Sequence, residues 1–198
     1  MGHIRLEPFD EAMVAEGARV LAAAFAANPL HVAAFGADVL ARNEAFFRAA
    51  LPAMNGTTLA AFDDGRMVGV IHWVDAPGCQ FSLTERLRLM PGVVGGLGLW
   101  CTARVLSWLS AWSAEDPAAA HVHLGPIGVL PEAQGRGVGR LLMSRYCAAL
   151  DERRRAGYLE TDRPANVAFY RRFGFEAVRE VTVIGVTNYL MERPALAA

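Results

Sequence analysis

The spacing of apolar positions changes several times along the chain, and each change marks an element. His3 to Leu6 alternate as a short first strand. Asp10 is placed to cap a helix that runs through an alanine-rich segment to about Ala27, where Asn28-Pro29 ends it. A second helix is predicted from Asp38 to Leu51, with Phe46, Phe47 and Leu51 on or near one face. Thr57 to Phe62 and Met67 to Val74 then read as two strands joined across Asp63-Asp64-Gly65, a strong hairpin signal.

Residues 78 to 117 interrupt this rhythm. The segment holds three of the four tryptophans, is predicted helical, and is longer than a strand-to-strand connection requires, which suggests that it covers a binding site. Its most apolar run, Pro91 to Trp112, is broken by Arg104 and by Gly92, Gly95, Gly96 and Gly98, the mark of a buried or pocket-lining helix rather than a membrane span. After it come a strand His121 to Leu130, a helix Gly137 to Arg155, a strand Tyr158 to Asp162 and a short helix Asn166 to Phe173. Terminal strands follow near Glu176 to Val183 and Thr187 to Glu192. No repeat, low-complexity tract or linker divides the 198 residues, and a 54% hydrophobic content suffices for one substantial core. The expected class is a single α/β domain with a mixed, partly parallel sheet and helices on both faces.

Composition narrows the chemistry. A net charge of -1 argues against a nucleic-acid partner. All nineteen residues counted as Lys+Arg are arginine, so a catalytic lysine is excluded. Cys79, Cys101 and Cys147 are odd in number and scattered, with neither metal-ligand spacing nor a disulfide framework. With no secretory or myristoylation signal in the first residues, a cytoplasmic location is expected.

The segment VHLGPIGVLPEAQGRGVGRLL, Val122 to Leu142, carries the clearest chemistry: an apolar strand, a glycine-rich turn, then an amphipathic helix. Gly135, Gly137 and Gly139 let a ligand approach the backbone, and the first turn of the helix aims N–H groups and its positive dipole end at an anion. The spacing fits neither a dinucleotide fingerprint, since Arg140 stands where a third glycine is needed, nor a lysine-containing P-loop. Proline at Gly125-Pro126 cannot donate to a neighbouring strand, so a bulge or splay is expected there.

The pattern Gln134-x-x-Gly137-x-Gly139 resembles the acyl-CoA loop of the GNAT family of N-acetyltransferases. A second segment, GYLETDRPANVAFYRRFGF from Gly157, resembles the carboxyl half of the same family, and within it puromycin N-acetyltransferase-like proteins. The resemblance implies a single GNAT domain, a strongly twisted mixed sheet with a splayed parallel strand pair, and acetyl-CoA as donor, with residues 120 to 176 as the cofactor core. It implies main-chain contacts to the cofactor from Ile127, Gly128 and Val129, and pyrophosphate contacts from Gln134, Gly135, Arg136, Gly137, Val138, Gly139 and Arg140. Asn166, expected to cap its helix, Phe169 and Arg172 are further cofactor residues. Tyr170 is the implied acid at the departing sulfur.

Glu160 is the candidate base, because a carboxylate in mid-strand needs a purpose or a partner; the structural alternatives are pairing with an arginine such as Arg163 and hydrogen bonding within the sheet without touching the acceptor. His72, His121 and His123 are weaker rivals, and the last two share one face without a third metal ligand, so no metal site is expected. The expected activity is direct acetyl transfer to a primary amine of a small molecule, with Phe25 and Trp73 in the acceptor pocket and Trp100, Trp108 and Trp112 as further aromatics. The alternatives are a non-catalytic acyl-CoA-binding module and a protein amino-terminal acetyltransferase. No nucleic acid or membrane partner is expected, and the chain is expected to act as a monomer or homodimer.

Overall fold

The computed structural model describes residues 4–79 and 83–197. Strand β1 (Arg5–Pro8) leads through a 3-10 turn into helix α1 (Val14–Phe25); His3, the expected start of that strand, lies outside the described residues. Asp10 caps this entry, its carboxylate accepting from the Met13 N–H at 3.1 Å. Asn28-Pro29 ends α1 and at once begins α2 (Pro29–Phe35), since a proline in the first turn gives up only an N–H that has no helical partner. Helix α3 (Val39–Ala50) follows.

Strands β2 (Thr57–Asp63) and β3 (Arg66–Asp75) form the expected hairpin. Its turn residues Asp64 and Gly65 both take positive φ, 49° and 82°, which matches the turn to the twist of the strands. Next come α4 (Leu83–Glu115), β4 (His121–Val129), α5 (Val138–Glu152), β5 (Ala156–Thr161) and α6 (Pro164–Arg171). A second hairpin, β6 (Glu176–Val183) and β7 (Val186–Arg193), closes the fold.

The strands make one seven-stranded sheet in the order β1-β2-β3-β4-β5-β7-β6, antiparallel throughout except between β4 and β5. Every interior position of β3 is buried, because α1 packs on one face and α5 on the other. Gly128 lets α1 cross closely: a Cβ there would lie 2.9 Å from Leu21 and Ala24 side-chain atoms. A second, smaller core joins α2, α4 and the end of β6 through Leu30, Phe35, Leu97, Val105, Trp108 and Val183.

The segment 78–117 is mostly α4, bent at Gly98, where φ is 74° and ψ 164°. Met90–Glu115 is long and apolar enough to cross a membrane, yet this part of α4 docks on α2 and α3 and buries Leu97, Val105 and Trp108. Trp100 turns outward and is 74% exposed, so it does not join the acceptor pocket expected for it.

Strand β4 leaves β5 early. The two pair only at His121, Val122 and His123. At Gly125-Pro126 the register of β4 against β3 slips, with the His72 ring 2.8 Å from where a Gly125 Cβ would stand. Beyond this bulge β4 stays on β3, and a gap opens toward β5.

Candidate active site

A cavity of about 880 Å³ is lined by both sides of that gap, by the glycine turn and by α4. The Leu130 N–H donates to Val68 O at 2.9 Å. Antiparallel alternation therefore turns the main chain of Gly128 to β3 as well, and that of Ile127 and Val129 to the gap. Of these three residues, Ile127 and Val129 turn their main chain to the gap, and the glycine serves the passage of α1. Gln134 closes over this edge, its Nε2 donating to Val129 O at 3.1 Å.

Gly135 and Gly137 adopt φ of 76° and 89°, and Gly137 forms the N-cap of α5 with no side-chain bond to the helix. The N–H groups of Val138, Gly139 and Arg140 thus belong to an uncapped first turn. The Val138 side chain is buried in the core, so that residue offers only its main chain. The Arg140 guanidinium reaches back to 3.7 Å from the Cβ position of Gly137, and Arg172 lines the cavity opposite. Arg136 pairs with Asp63 at 2.5 Å. A strand edge turned to the gap, a turn with glycine at Gly135, Gly137 and Gly139, and arginines around it fit the pantetheine and pyrophosphate of a CoA ester.

Phe169 and Tyr170 line the same cavity from α6. Tyr170 is 6% exposed, and burial, reinforced by the charge of Asp162, pushes its phenol well above the usual range, so it holds its proton at neutral pH. Asn166 is not the helix cap expected of it: α6 begins at Pro164 with Arg163 at the N-cap. Its Nδ2 instead donates to Thr161 Oγ1 at 3.1 Å, tying α6 to the end of β5.

Glu160 does not pair with Arg163 but bonds within the sheet, to a side chain of the neighbouring strand β4. Its Oε2 accepts from His123 Nε2 at 2.8 Å, and Oε1 has no hydrogen-bond partner among the described residues, although the side chain is only 2% exposed. Burial disfavours charge on His123, but the Glu160 carboxylate, with Asp116 and Cys79 beside the ring, outweighs it and holds the imidazole pKa well above its ordinary value. The expectation that His121 and His123 stand alone as potential ligands is overturned: Cys79 and Asp116 place donor atoms within 4.8 Å of theirs. Neither partner was legible from local spacing, because the fold gathers them from the turn after β3 and the end of α4.

The acceptor side needs one correction. Phe25 lines the cavity as expected, but Trp73 is in the core, 4% exposed and packed on Tyr146 of α5. Side chains alternate along β3, so His72 and Val74 face the cavity and Trp73 faces the other way. Trp108 and Trp112 do reach the cavity, with ring centroids 5.1 Å apart. Asp162, which the sequence did not single out, holds the entrance of α2 over it, accepting from the Leu30 N–H at 2.7 Å and from Asn28 Nδ2 at 3.2 Å.

His31 lines the cavity among Phe25, Phe47 and Trp108, and its Nδ1 lies 2.6 Å from Asn43 Oδ1. Burial lowers its pKa to about 4, with the Asn43 bond opposing. The unfolded chain, at the ordinary 6.5, then takes up a proton before the folded one does. Stability is expected to fall as pH drops from about 6.5 to about 4, by about 3 kcal/mol from this group. Denaturant unfolding across that window should show a shallower slope of stability against pH in His31→Gln than in the wild type; equal slopes would show that folding leaves the proton affinity of the ring unchanged.

Residues 25–175 match the Acetyltransferase (GNAT) family. Among solved structures, a protein named as a histone acetyltransferase and related acetyltransferase from Corynebacterium glutamicum superposes with a TM-score of 0.77. It is 22% identical, over 100% of this chain and 99% of its own. A polyamine N-acetyltransferase of Drosophila melanogaster, which forms N-acetylagmatine, has a TM-score of 0.69 at 14% identity over 98% and 100% of the two chains. A GNAT acetyltransferase of Brucella melitensis in complex with acetyl-CoA has a TM-score of 0.53 at 20% identity over 100% and 91%.

Proposed function

From the premise that the chain belongs to the GNAT acetyltransferase family, whose donor is acetyl-CoA, we propose that it acetylates a primary amine of a small molecule. The observation that carries this reading is the continuity of the cavity, which joins the gap beside β4 to a chamber walled by Phe25, His31, Trp108 and Trp112. The names of similar structures span protein and polyamine acceptors, so the fold does not choose between them. A chamber closed over by α4 suits a small apolar or aromatic amine better than a peptide.

When bound, acetyl-CoA supplies the thioester whose carbonyl carbon the amine attacks. Ile127 and Val129 offer main-chain groups along the gap, and the turn 134–140 with Arg140 and Arg172 takes the phosphates. Glu160, anchored by His123, binds the acceptor's ammonium with Oε1 and accepts its proton. Tyr170 would donate its phenolic proton to the departing sulfur and regain one from the nitrogen, which sheds its second proton as the amide forms; the proton held by Glu160 passes to solvent, so one proton is released for each acetyl group transferred.

Glu160→Gln keeps the His123 bond through its amide oxygen and loses the charge. Turnover is expected to fall by roughly tenfold or more with acetyl-CoA affinity unchanged. A lowered melting temperature with unchanged turnover would make Glu160 a scaffold residue. The acceptor class is tested by comparing small aromatic amines with peptides bearing free amino termini; the small amines should have kcat/KM higher by roughly tenfold or more, and preference for the peptides would reverse the reading.

A further inference from the structure

Four donors from three segments converge beside Glu160. They are the Cys79 thiol after β3, an Asp116 carboxylate oxygen beyond α4, and the His121 and His123 rings on one face of β4. Asp116 Oδ1 lies 3.2 Å from His121 Nε2 and 3.3 Å from His123 Nδ1, and Asp116 Oδ2 lies 3.3 Å from Cys79 Sγ. Donors placed tetrahedrally around zinc at bond lengths of about 2.0 to 2.3 Å are separated by about 3.3 to 3.8 Å.

The outer side of each ring separates this cluster from an ordinary hydrogen-bonded one. His121 Nδ1 lies 2.8 Å from Ala119 O, and His123 Nε2 lies 2.8 Å from Glu160 Oε2. Metal binding requires the neutral imidazole, which has a single N–H; in that form these acceptors take it and leave lone pairs on His121 Nε2 and His123 Nδ1. Neither inner nitrogen has a hydrogen-bond partner among the described residues, although the His121 side chain is only 3% exposed. Carbonyl and carboxylate acceptors orient metal-binding histidines in this way. The Cys79 turn is itself fixed to β4, the Ala76 N–H donating to His121 O at 3.1 Å.

We propose that Cys79, Asp116, His121 and His123 bind one divalent cation of the zinc class. One thiolate, two imidazoles and one carboxylate suit zinc and not the hard oxygen-seeking magnesium or calcium, and four protein donors make a closed, structural site. The thiol proton leaves to solvent as the sulfur–metal bond forms. The ion ties the end of α4 and the turn after β3 to β4, and through His123 it holds Glu160 in the acceptor chamber. The competing arrangement, imidazolium rings paired with the two carboxylates, takes up no metal.

Chelator-treated protein titrated with Co²⁺ alone is expected to bind one ion per chain, with visible bands of a tetrahedral site and a sulfur-to-cobalt charge-transfer band. Zn²⁺ alone is expected to displace it and raise the melting temperature. Cys79→Ser, at a half-buried turn, should remove the charge-transfer band, and His121→Gln should weaken cobalt binding roughly tenfold or more. Cys147→Ser, in α5, should change neither, and circular dichroism verifies that each variant is folded. No stoichiometric uptake by the wild type, or a charge-transfer band that survives Cys79→Ser, overturns the site.

Discussion

Tyr170→Phe is expected to lower kcat by roughly tenfold to a thousandfold while leaving acetyl-CoA affinity unchanged. The side chain is 6% exposed, and its ring packs on Phe169 and Phe175 at centroid distances of 5.4 and 6.5 Å. Phenylalanine preserves those contacts and deletes only the hydroxyl. Because burial holds the phenol pKa well above its usual range, the group keeps a proton to give at neutral pH and can give it only where negative charge develops. A loss confined to kcat is the signature of an interaction made in the transition state. Wild-type turnover in the phenylalanine variant, with chemistry established as rate-limiting, would reduce Tyr170 to a packing residue.

An effect of similar size is expected at Gly137. With φ at 89°, most side chains would strain the turn, but asparagine and aspartate tolerate the left-handed region best. Gly137→Asn and Gly137→Asp therefore share the backbone cost and differ by one charge. Aspartate also complements the positive end of α5, so beside asparagine it should carry no added cost to the folded protein while opposing the pyrophosphate. Calorimetric titration with acetyl-CoA is expected to show the aspartate variant binding on the order of a hundredfold more weakly than the asparagine variant, about 3 kcal/mol. Equal affinities would remove the turn from the phosphate site.

Local chemistry made much of this fold legible. Asp64-Gly65 announced its hairpin because few other pairs accept positive φ twice in succession, and Gly125-Pro126 announced the departure of β4 because proline cannot donate to a neighbour. The glycine turn and the strand bearing Glu160 were readable for the same reason: each carries its meaning within a few residues. Trp73 was misplaced because a hydrophobic strand covered on both sides has no polar face to mark which way its side chains point. Cys79 and Asp116 were missed as neighbours of His121 and His123 because only the tertiary docking of α4 brings them there. Asn166 was taken as a cap on its residue type, whereas Pro164 sets the start of α6 and leaves the asparagine to bind Thr161.

The central claim is that the acetyl group passes directly from acetyl-CoA to the nitrogen of a small amine in the aromatic chamber. Incubation with acetyl-CoA and a panel of small primary amines tests it most directly, with thiol release and the masses of amine and protein followed together. The account predicts one acetylated amine for each thiol released, with at least one member of the panel, and a protein of unchanged mass. Tight acetyl-CoA binding without thiol release across the panel would contradict it, as would acetyl groups accumulating on the protein.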